Sequence, residues 1–438
     1  MMPANRRSFL ATTSAALMAT GASRVLGANE RVQIAVIGLG GRGSGHLNSY
    51  LRLPACRVVA LCDVNQAAIE RGAAAAMRNG GDKPKGYEDM RKLFEDKDVD
   101  AVSIATPNHW HALSAIWAVQ AGKDVYVEKP ASHNVWEGQK MIEAARKYKR
   151  MVQVGSQSRS ITHKIEAMRL LREGAIGKVY LSKALCFKRR NTIGKKPDGP
   201  TPPGINWDLF LGPAPMRAFN ENRFKYNWHW FWDTGNGDIG NQGVHEMDIA
   251  RWGLGLPDAA HDGLKTVTST GGKFAYDDDQ ETPNTQLCTF DYGDKQLVFE
   301  VRGLLTGPEG SFGIRGGNCI GNLFYGSDGF LEVDGGGYRV YKGESRKLEM
   351  EGKRSGDDTA PHMQNFLDAV KSRDYKSLTA EIAIGAAAAG LCHFANISYR
   401  LGRMLRYDAA RGRFAGDEEA NRMLTRDYRR PYVVPDKV

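Results

Sequence analysis

Apolar residues recur along this chain in two rhythms, and the change between them divides it. From Arg31 to about Gln157, short apolar runs alternate with helical periodicity. Val32-Gln33-Ile34-Ala35-Val36-Ile37 runs straight into Gly38-Leu39-Gly40-Gly41-Arg42-Gly43. Beyond Gly43, Leu47, Tyr50 and Leu51 recur at the i, i+3, i+4 spacing of one helix face. Val58 to Cys62, Asp100 to Ala105, Asp124 to Val127 and Met151 to Gly155 read as further buried strands. Ala112 to Gln120 reads as a helix capped by Gly122. Strand and helix in alternation imply a parallel sheet.

After Gly155 the period drops to two. Val179, Leu181, Leu185 and Phe187 fall on one strand face, with Lys183 the exception. Thr285 to Arg302 reads as two strands about a Gly293-Asp294 turn, and Phe330 to Val333 pairs with Tyr338 to Tyr341 across glycines. Hairpin-linked strands make an antiparallel sheet. Lys188 to Gly204 and Gly303 to Gly321 read as loops. Met363, Phe366, Leu367 and Val370 mark a helix, and a longer one runs from about Glu381 to Gly402. The expected fold is an α/β Rossmann domain (29–157) followed by an α+β domain (158–402) with a large, mostly antiparallel open sheet. A basic, turn-rich tail (403–438) remains, expected to wrap a neighbouring surface.

The glycine stretch carries the first chemistry. Between a buried strand and a helix N-terminus, free N–H groups and the helix dipole attract a pyrophosphate. Gly38 makes the turn, Gly40 lets backbone approach phosphate and Gly43 lets helix pack on strand. The second strand ends at Asp63, close to the spacing of a ribose-binding acid. A carboxylate there accepts from the adenosine 2′-OH and repels a 2′-phosphate, so NAD is expected over NADP. Thr106 and Asn108 follow the next strand and flank the same crevice.

Composition changes this picture little. The 438 residues exceed one ordinary domain. The net charge is +10, but the basic residues are scattered, which argues against a nucleic-acid surface. Lys188-Arg189-Arg190 is the notable basic cluster and reads as a solvated loop. The six cysteines occur singly, in apolar runs, as buried thiols do. Asn5-Arg6-Arg7-Ser8-Phe9-Leu10 and the Ala/Thr-rich run after it resemble a twin-arginine export signal over residues 1–28. That run is too short and too weakly apolar to span a bilayer, so no integral membrane segment is expected. His109 and His111 flank Trp110 without a third ligand at credible spacing, so no metal is expected, and a structural or cofactor-contacting role suits them better.

Four features together resemble the glucose–fructose oxidoreductase / inositol dehydrogenase (Gfo/Idh/MocA) family. They are the glycine fingerprint, Thr106-Pro107-Asn108, Glu128-Lys129-Pro130 and Gly237 to Asp248 with His245. Trp207 to Pro215 resembles a segment of its sugar-related members. The resemblance implies Lys129 and His245 as catalytic groups. The family aspartate four residues before that histidine is Asn241 here, which holds a hydroxyl but carries no charge. Asp248, one helical turn on, is placed to orient the imidazole. Cofactor contacts are expected from Gly38, Leu39, Gly40, Arg42, Gly43, Asp63, Thr106, Asn108, His111, Glu128, Lys129 and Gln157. Substrate contacts are expected from Lys129, Tyr226, His229, Trp230, Asn241 and His245; the aromatic cluster Phe224 to Trp232 reads equally as sugar platform or core. The family also commonly pairs through its sheet, so a homo-oligomer (dimer or tetramer) is expected.

Oxidising an alcohol needs a base near the working pH and a cation beside the developing alkoxide; His245 and Lys129 fit those roles. The leading expectation is therefore an oxidoreductase acting on a sugar, cyclitol or glycoside hydroxyl with tightly bound NAD. An exported enzyme has no free NAD pool, which leaves a redox-neutral glycosidase or lyase working through a 3-keto sugar as an alternative, with Tyr226, His229 or Asp238 as its second base. A non-catalytic NAD or sugar sensor is the third reading, favoured only by Asn241.

Overall fold

The computed structural model describes residues 31–438 except 259, 310, 311, 314–317, 357 and 358. The expected export segment lies outside the described residues. The first half runs β1 (Val32–Ile37), α1 (Gly41–Tyr50), β2 (Cys56–Cys62), α2 (Gln66–Arg78), β3 (Lys85–Tyr87), α3 (Met90–Phe94), β4 (Ala101–Ile104), α4 (Asn108–Gln120), β5 (Asp124–Val127), α5 (Val135–Tyr148) and β6 (Val152–Val154). The six strands are parallel in the order β3-β2-β1-β4-β5-β6. Strand order reverses between β1 and β4, so a crevice opens beyond their carboxyl ends. Both faces are covered, as the near-continuous apolar runs require. Val32, Ile34 and Val36 of β1 join one core cluster, and Ala35 and Ile37 join another.

The second half begins with α6 (Thr162–Arg172), β7 (Val179–Lys188), β8 (Asp198–Gly199), α7 (Trp207–Leu211), β9 (Phe219–Asn220), α8 (Gly237–Asn241) and α9 (Gly243–Gly253). Strands β10 (Thr266–Gly272), β11 (Thr285–Asp291), β12 (Gln296–Arg302), β13 (Asn318–Gly326), β14 (Gly329–Asp334), β15 (Gly337–Lys342) and β16 (Lys347–Lys353) follow. Helices α10 (Thr359–Ser372) and α11 (Ile382–Leu401), strands β17 (Leu405–Asp408) and β18 (Arg413–Phe414), and α12 (Glu418–Arg422) complete the chain. One ten-stranded sheet has the order β16-β15-β14-β13-β7-β12-β11-β10-β17-β18. Its neighbours are antiparallel except β7 with β12. The expected fold class, a parallel α/β half and a large antiparallel sheet, is the observed one.

Helix α11 joins the halves. The Glu381 side chain accepts from the Ala383 N–H at its start, and left-handed Gly402 ends it. It is long and apolar enough to cross a membrane, yet 83% of its apolar 18-residue window is buried inside the protein. Its small residues let flanking elements approach closely.

Some local expectations change. Lys188 belongs to β7, and the loop after it holds the two-residue β8, which pairs with β9 beyond α7. The glycine-rich 303–321 stretch enters β13 at Asn318. In β7, Leu185 and Phe187 pack with Phe312, Cys319 and Leu323, while Ala184 and Cys186 face the helices, so both faces of its second half are buried. Helix α10 buries Met363, Phe366, Leu367 and Val370 against β1 of the first half. The tail adds β17 and β18 to the large sheet, then returns Tyr432, Val434 and Val438 to the core around Trp110 and Val119.

Candidate active site

The crevice is built by glycine at two positions where nothing else fits. Gly38 has φ +82°, and a Cβ there would lie 2.7 Å from the Ala105 carbonyl oxygen. A Cβ on Gly43 would lie 1.6 Å from the Gly38 carbonyl oxygen, so α1 packs directly on the loop. Gly40, at the α1 N-cap, is different: a Cβ there would meet no protein atom within 4 Å. The protein leaves that space open beside the helix N-terminus, where a phosphate binds. Asp63 closes the loop from below. Its carboxylate accepts from the Leu39 N–H at 2.6 Å and the Asn65 N–H at 2.8 Å, and burial pushes its pKa up. Each oxygen keeps a further lone pair for a ribose hydroxyl.

A cavity of about 890 Å³ runs from this loop past Thr106 and Lys129 to Tyr226, His229 and Asn241. Leu39, Arg42, Asn108, His111 and Glu128 also line it. The Thr106 hydroxyl is buried and has no hydrogen-bond partner among the described residues, as expected of a group that a ligand completes. The open space at Gly40, the Asp63 carboxylate and this orphaned hydroxyl together fit a dinucleotide.

Beneath the cavity lies a charged network anchored on Glu128. It accepts from Arg42 Nε at 2.6 Å, Gln157 Nε2 at 3.2 Å and the Lys129 N–H at 3.1 Å, and His46 Nε2 lies 2.9 Å away. These partners outweigh burial and hold its carboxyl well below the usual range. Gln157, expected on the cofactor, is not on the cavity wall: its amide reaches Tyr126 and Glu128 behind it. The His111 ring lies between the Pro130 and Thr106 carbonyl oxygens at 2.7 and 2.9 Å, tying together the loops after β5 and β4. His109 is held the same way by the Thr234 and Phe210 carbonyls. Asn108 donates to Asn236 Oδ1 at 3.0 Å, bridging the two halves.

Lys129 ends the strand segment inside the cavity. Its Nζ donates to the backbone carbonyl of Asn241 at 2.9 Å. Burial lowers its pKa, against the pull of Glu128. His245, expected to touch the substrate, stands on the first turn of α9, partly buried and behind the residues that line the cavity, and no described residue hydrogen-bonds its imidazole. Burial and the Lys129 ammonium hold its pKa well below 6.5, so the ring is neutral and free to accept a proton.

Asp248 does not orient that ring. Both oxygens of its carboxylate are held by Arg159, Nε to Oδ2 and Nη2 to Oδ1, both at 2.8 Å, and neither meets His245. Trp230 is also off the cavity wall; it is buried, with Arg190 over its ring at 5.1 Å. Tyr226 and His229 do line the cavity, their ring centroids 4.5 Å apart. Arg190 is the residue that sequence reasoning missed. Instead of a solvated loop, it forms a two-pronged ion pair with buried Asp238 at 2.6 and 2.9 Å and donates to the Tyr226 hydroxyl at 2.9 Å. The signal was its place directly after an apolar strand, facing the acids of the Gly237 segment. The tail contributes too: Arg426 donates to the His109 and Asp233 carbonyls, and Arg429 to Gly212 and Asp208.

Two family descriptions match. "Oxidoreductase family, NAD-binding Rossmann fold" covers residues 32–156, and "Oxidoreductase family, C-terminal alpha/beta domain" covers 157–265 and 326–434. Among curated relatives, a glycosyl hydrolase family 109 protein of Saccharopolyspora erythraea is 33% identical over 157 residues, 35% of this chain and 34% of that one. An alpha-N-acetylgalactosaminidase of Shewanella oneidensis is 28% identical over 159 residues, 35% of each chain. The matches thus span about a third of those relatives. Two solved structures share the fold: the WlbA dehydrogenase of Chromobacterium violaceum with NADH and UDP-GlcNAcA (TM-score 0.65, 18% identity, covering 87% of this chain and 97% of that one), and the aldose-aldose oxidoreductase of Caulobacter crescentus with glycerol (TM-score 0.64, 19% identity, 86% and 100%). With both of its halves matched, the chain belongs to the Gfo/Idh/MocA oxidoreductase family and binds NAD.

Proposed function

We propose that the protein is an NAD-dependent enzyme acting on a secondary hydroxyl of a sugar, cyclitol or glycoside. The observation that carries this reading is the Lys129 ammonium inside the cavity, bonded to a neutral carbonyl and, among the described residues, to no carboxylate. A bound nicotinamide would supply the acceptor for the hydride leaving the carbinol carbon. The chain's residues handle the proton and the charge. Lys129 orients the hydroxyl and stabilises the oxygen as it becomes anionic, an effect strongest away from water. His245, neutral and unpartnered, takes the hydroxyl proton. Asp63 would hold the adenosine ribose, and Thr106 and Asn108 would lie beside the cofactor. Asn241 fixes Lys129 through its backbone and gives up the charge the family places there.

The redox-neutral glycosidase is the second reading. It is favoured by the names of the curated relatives and by Asn241. Oxidation at C3 makes the C2 proton acidic, elimination releases the aglycone, and water addition with re-reduction returns a free sugar. Export as a folded, NAD-loaded protein by the twin-arginine segment fits either reading; replacing Arg6 and Arg7 by lysine should retain the protein in the cytoplasm. A dimer through the open sheet face is proposed on exposed Leu287 and Tyr180, and light scattering on the purified protein tests it.

The test is absorbance near the reduced-nicotinamide band, on protein purified without added NAD. Lasting reduction by a free sugar or glycoside supports the dehydrogenase. Aglycone release without lasting reduction supports the glycosidase. Bound NAD with neither response to any glycoside or sugar overturns both.

A further inference from the structure

The Tyr226 hydroxyl is surrounded by donors. Arg190 Nη1 and Asn241 Nδ2 both lie 2.9 Å from its oxygen. A guanidinium donates and never accepts. The amide is the informative partner, because a carboxamide can be turned over to present oxygen instead. Here Asp238 decides its orientation. The same Asn241 nitrogen lies 3.4 Å from Asp238 Oδ1, and the reversed amide would set oxygen against a carboxylate. Arg190 grips both oxygens of Asp238, Nε on one and Nη2 on the other. Both acceptor positions of the phenol oxygen are therefore used, and no described residue accepts its hydrogen.

His229 has the opposite polarity. Its Nδ1 lies 2.6 Å from the Tyr226 backbone carbonyl, which accepts only, so Nδ1 carries the hydrogen. Burial holds the imidazole well below 6.5 and neutral, so Nε2 keeps its lone pair. Both rings line the far end of the cavity from the glycine loop.

We propose that Tyr226 and His229 are specificity-determining residues: a fixed donor beside a fixed acceptor, selecting a substrate with an oxygen acceptor next to an O–H or N–H donor on a polyhydroxylated ring. This rests on the carbohydrate reading above. It gives Asn241 a purpose that an aspartate would defeat, since an aspartate would accept the Tyr226 hydrogen and turn it away from the ligand. Asn241→Asp, which restores the family residue, should therefore weaken substrate binding.

Three measurements test it. A neutron structure of the NAD-loaded protein in heavy water, with no sugar added, locates the Tyr226 deuteron. It should point into the cavity; a deuteron aimed at Asn241 or Asp238 overturns the proposal, whatever reaction the enzyme performs. Next, KM is measured for Tyr226→Phe with a panel of monodeoxy and 2-acetamido methyl glycosides. One deoxy position should raise KM about tenfold in the wild type and have no effect in Tyr226→Phe. Asn241→Asp should follow Tyr226→Phe in that scan, with kcat changed less than KM and NAD still bound. An unchanged KM for every sugar in Tyr226→Phe, or a higher kcat/KM in Asn241→Asp, overturns it. If no glycoside reduces the bound NAD, the carbohydrate reading falls, while the neutron result still decides the direction of the hydrogen.

Discussion

The Lys129 ammonium donates to the backbone carbonyl oxygen of Asn241 at 2.9 Å, across 112 residues of chain. That bond holds the end of the fifth parallel strand segment against helix α8 of the second half, so cofactor side and substrate side meet at one side chain. Lys129→Met removes the charge and keeps the bulk. Turnover should fall at least about a hundredfold, as when a preorganised electrostatic partner is lost, while NAD stays bound. Single-turnover absorbance and cofactor content after gel filtration check both; a near-normal rate removes Lys129 from the chemistry.

Asp63 has two tasks, bracing the glycine loop through the Leu39 and Asn65 amides and facing the ribose. Asp63→Ser should weaken NAD by at least about tenfold, the scale of a lost charge-assisted hydrogen bond. It should also narrow the preference for NAD over NADP. Equilibrium titration with both cofactors checks this, and unchanged NAD affinity excludes Asp63 from the ribose site.

Asp248 belongs to stability. It is buried with Arg159, which also stacks over Trp252 at 5.0 Å. Removing one partner of a buried pair strands the other charge and costs about 3–5 kcal/mol. Asp248→Ala should lower the urea midpoint on that scale and leave the pH–rate profile of the remaining activity unmoved. A shifted profile with intact stability would return Asp248 to His245.

Glu246 gives the fold a pH dependence. It is buried, and its pKa is pushed up to about 7, first by that burial. Between its unfolded value near 4.5 and about 7, the folded protein holds a proton that the unfolded chain has released. Its contribution is thus complete below the unfolded value and declines as pH rises through the window, by on the order of 3 kcal/mol. Glu246→Gln should flatten this slope and be the more stable protein at pH 8. Urea unfolding at pH 5 and pH 8 checks it; parallel losses in both proteins contradict it.

What the sequence made legible follows from how local each requirement is. The glycine loop is read directly because the φ of Gly38 and the contact of Gly43 involve residues only a few positions apart. Asp63 and Lys129 follow from strand ends, which a parallel sheet places at one edge. Asp248 was misread because its partner lies 89 residues away on a short turn, with no sequence pattern linking the two. Trp230 was misassigned because a 3₁₀ turn over Asn227–Trp230 sends neighbouring aromatics in different directions. His229 faces the cavity and Trp230 the core. Arg190 looked like surface because one charged triplet resembles another until Asp238 is seen to neutralise it. The tail's return, with Tyr432 against Trp110 and Arg426 paired to buried Glu137 at 3.3 Å, depends on topology alone.

The central claim is that hydride would pass between a sugar carbon and an NAD bound in the cavity that Lys129 lines. The most direct measurement supplies sugars deuterated at single ring carbons to the NAD-loaded protein, then weighs the nicotinamide released by denaturation. Quenched within the first turnover, one labelled position should leave the reduced cofactor one mass unit heavier than unlabelled sugar does, and Lys129→Met should abolish the gain; oxidative turnover keeps the label on the cofactor, whereas redox-neutral turnover returns it to the same carbon. Turnover of the labelled sugar with no deuterium reaching the cofactor from any carbon would contradict the account.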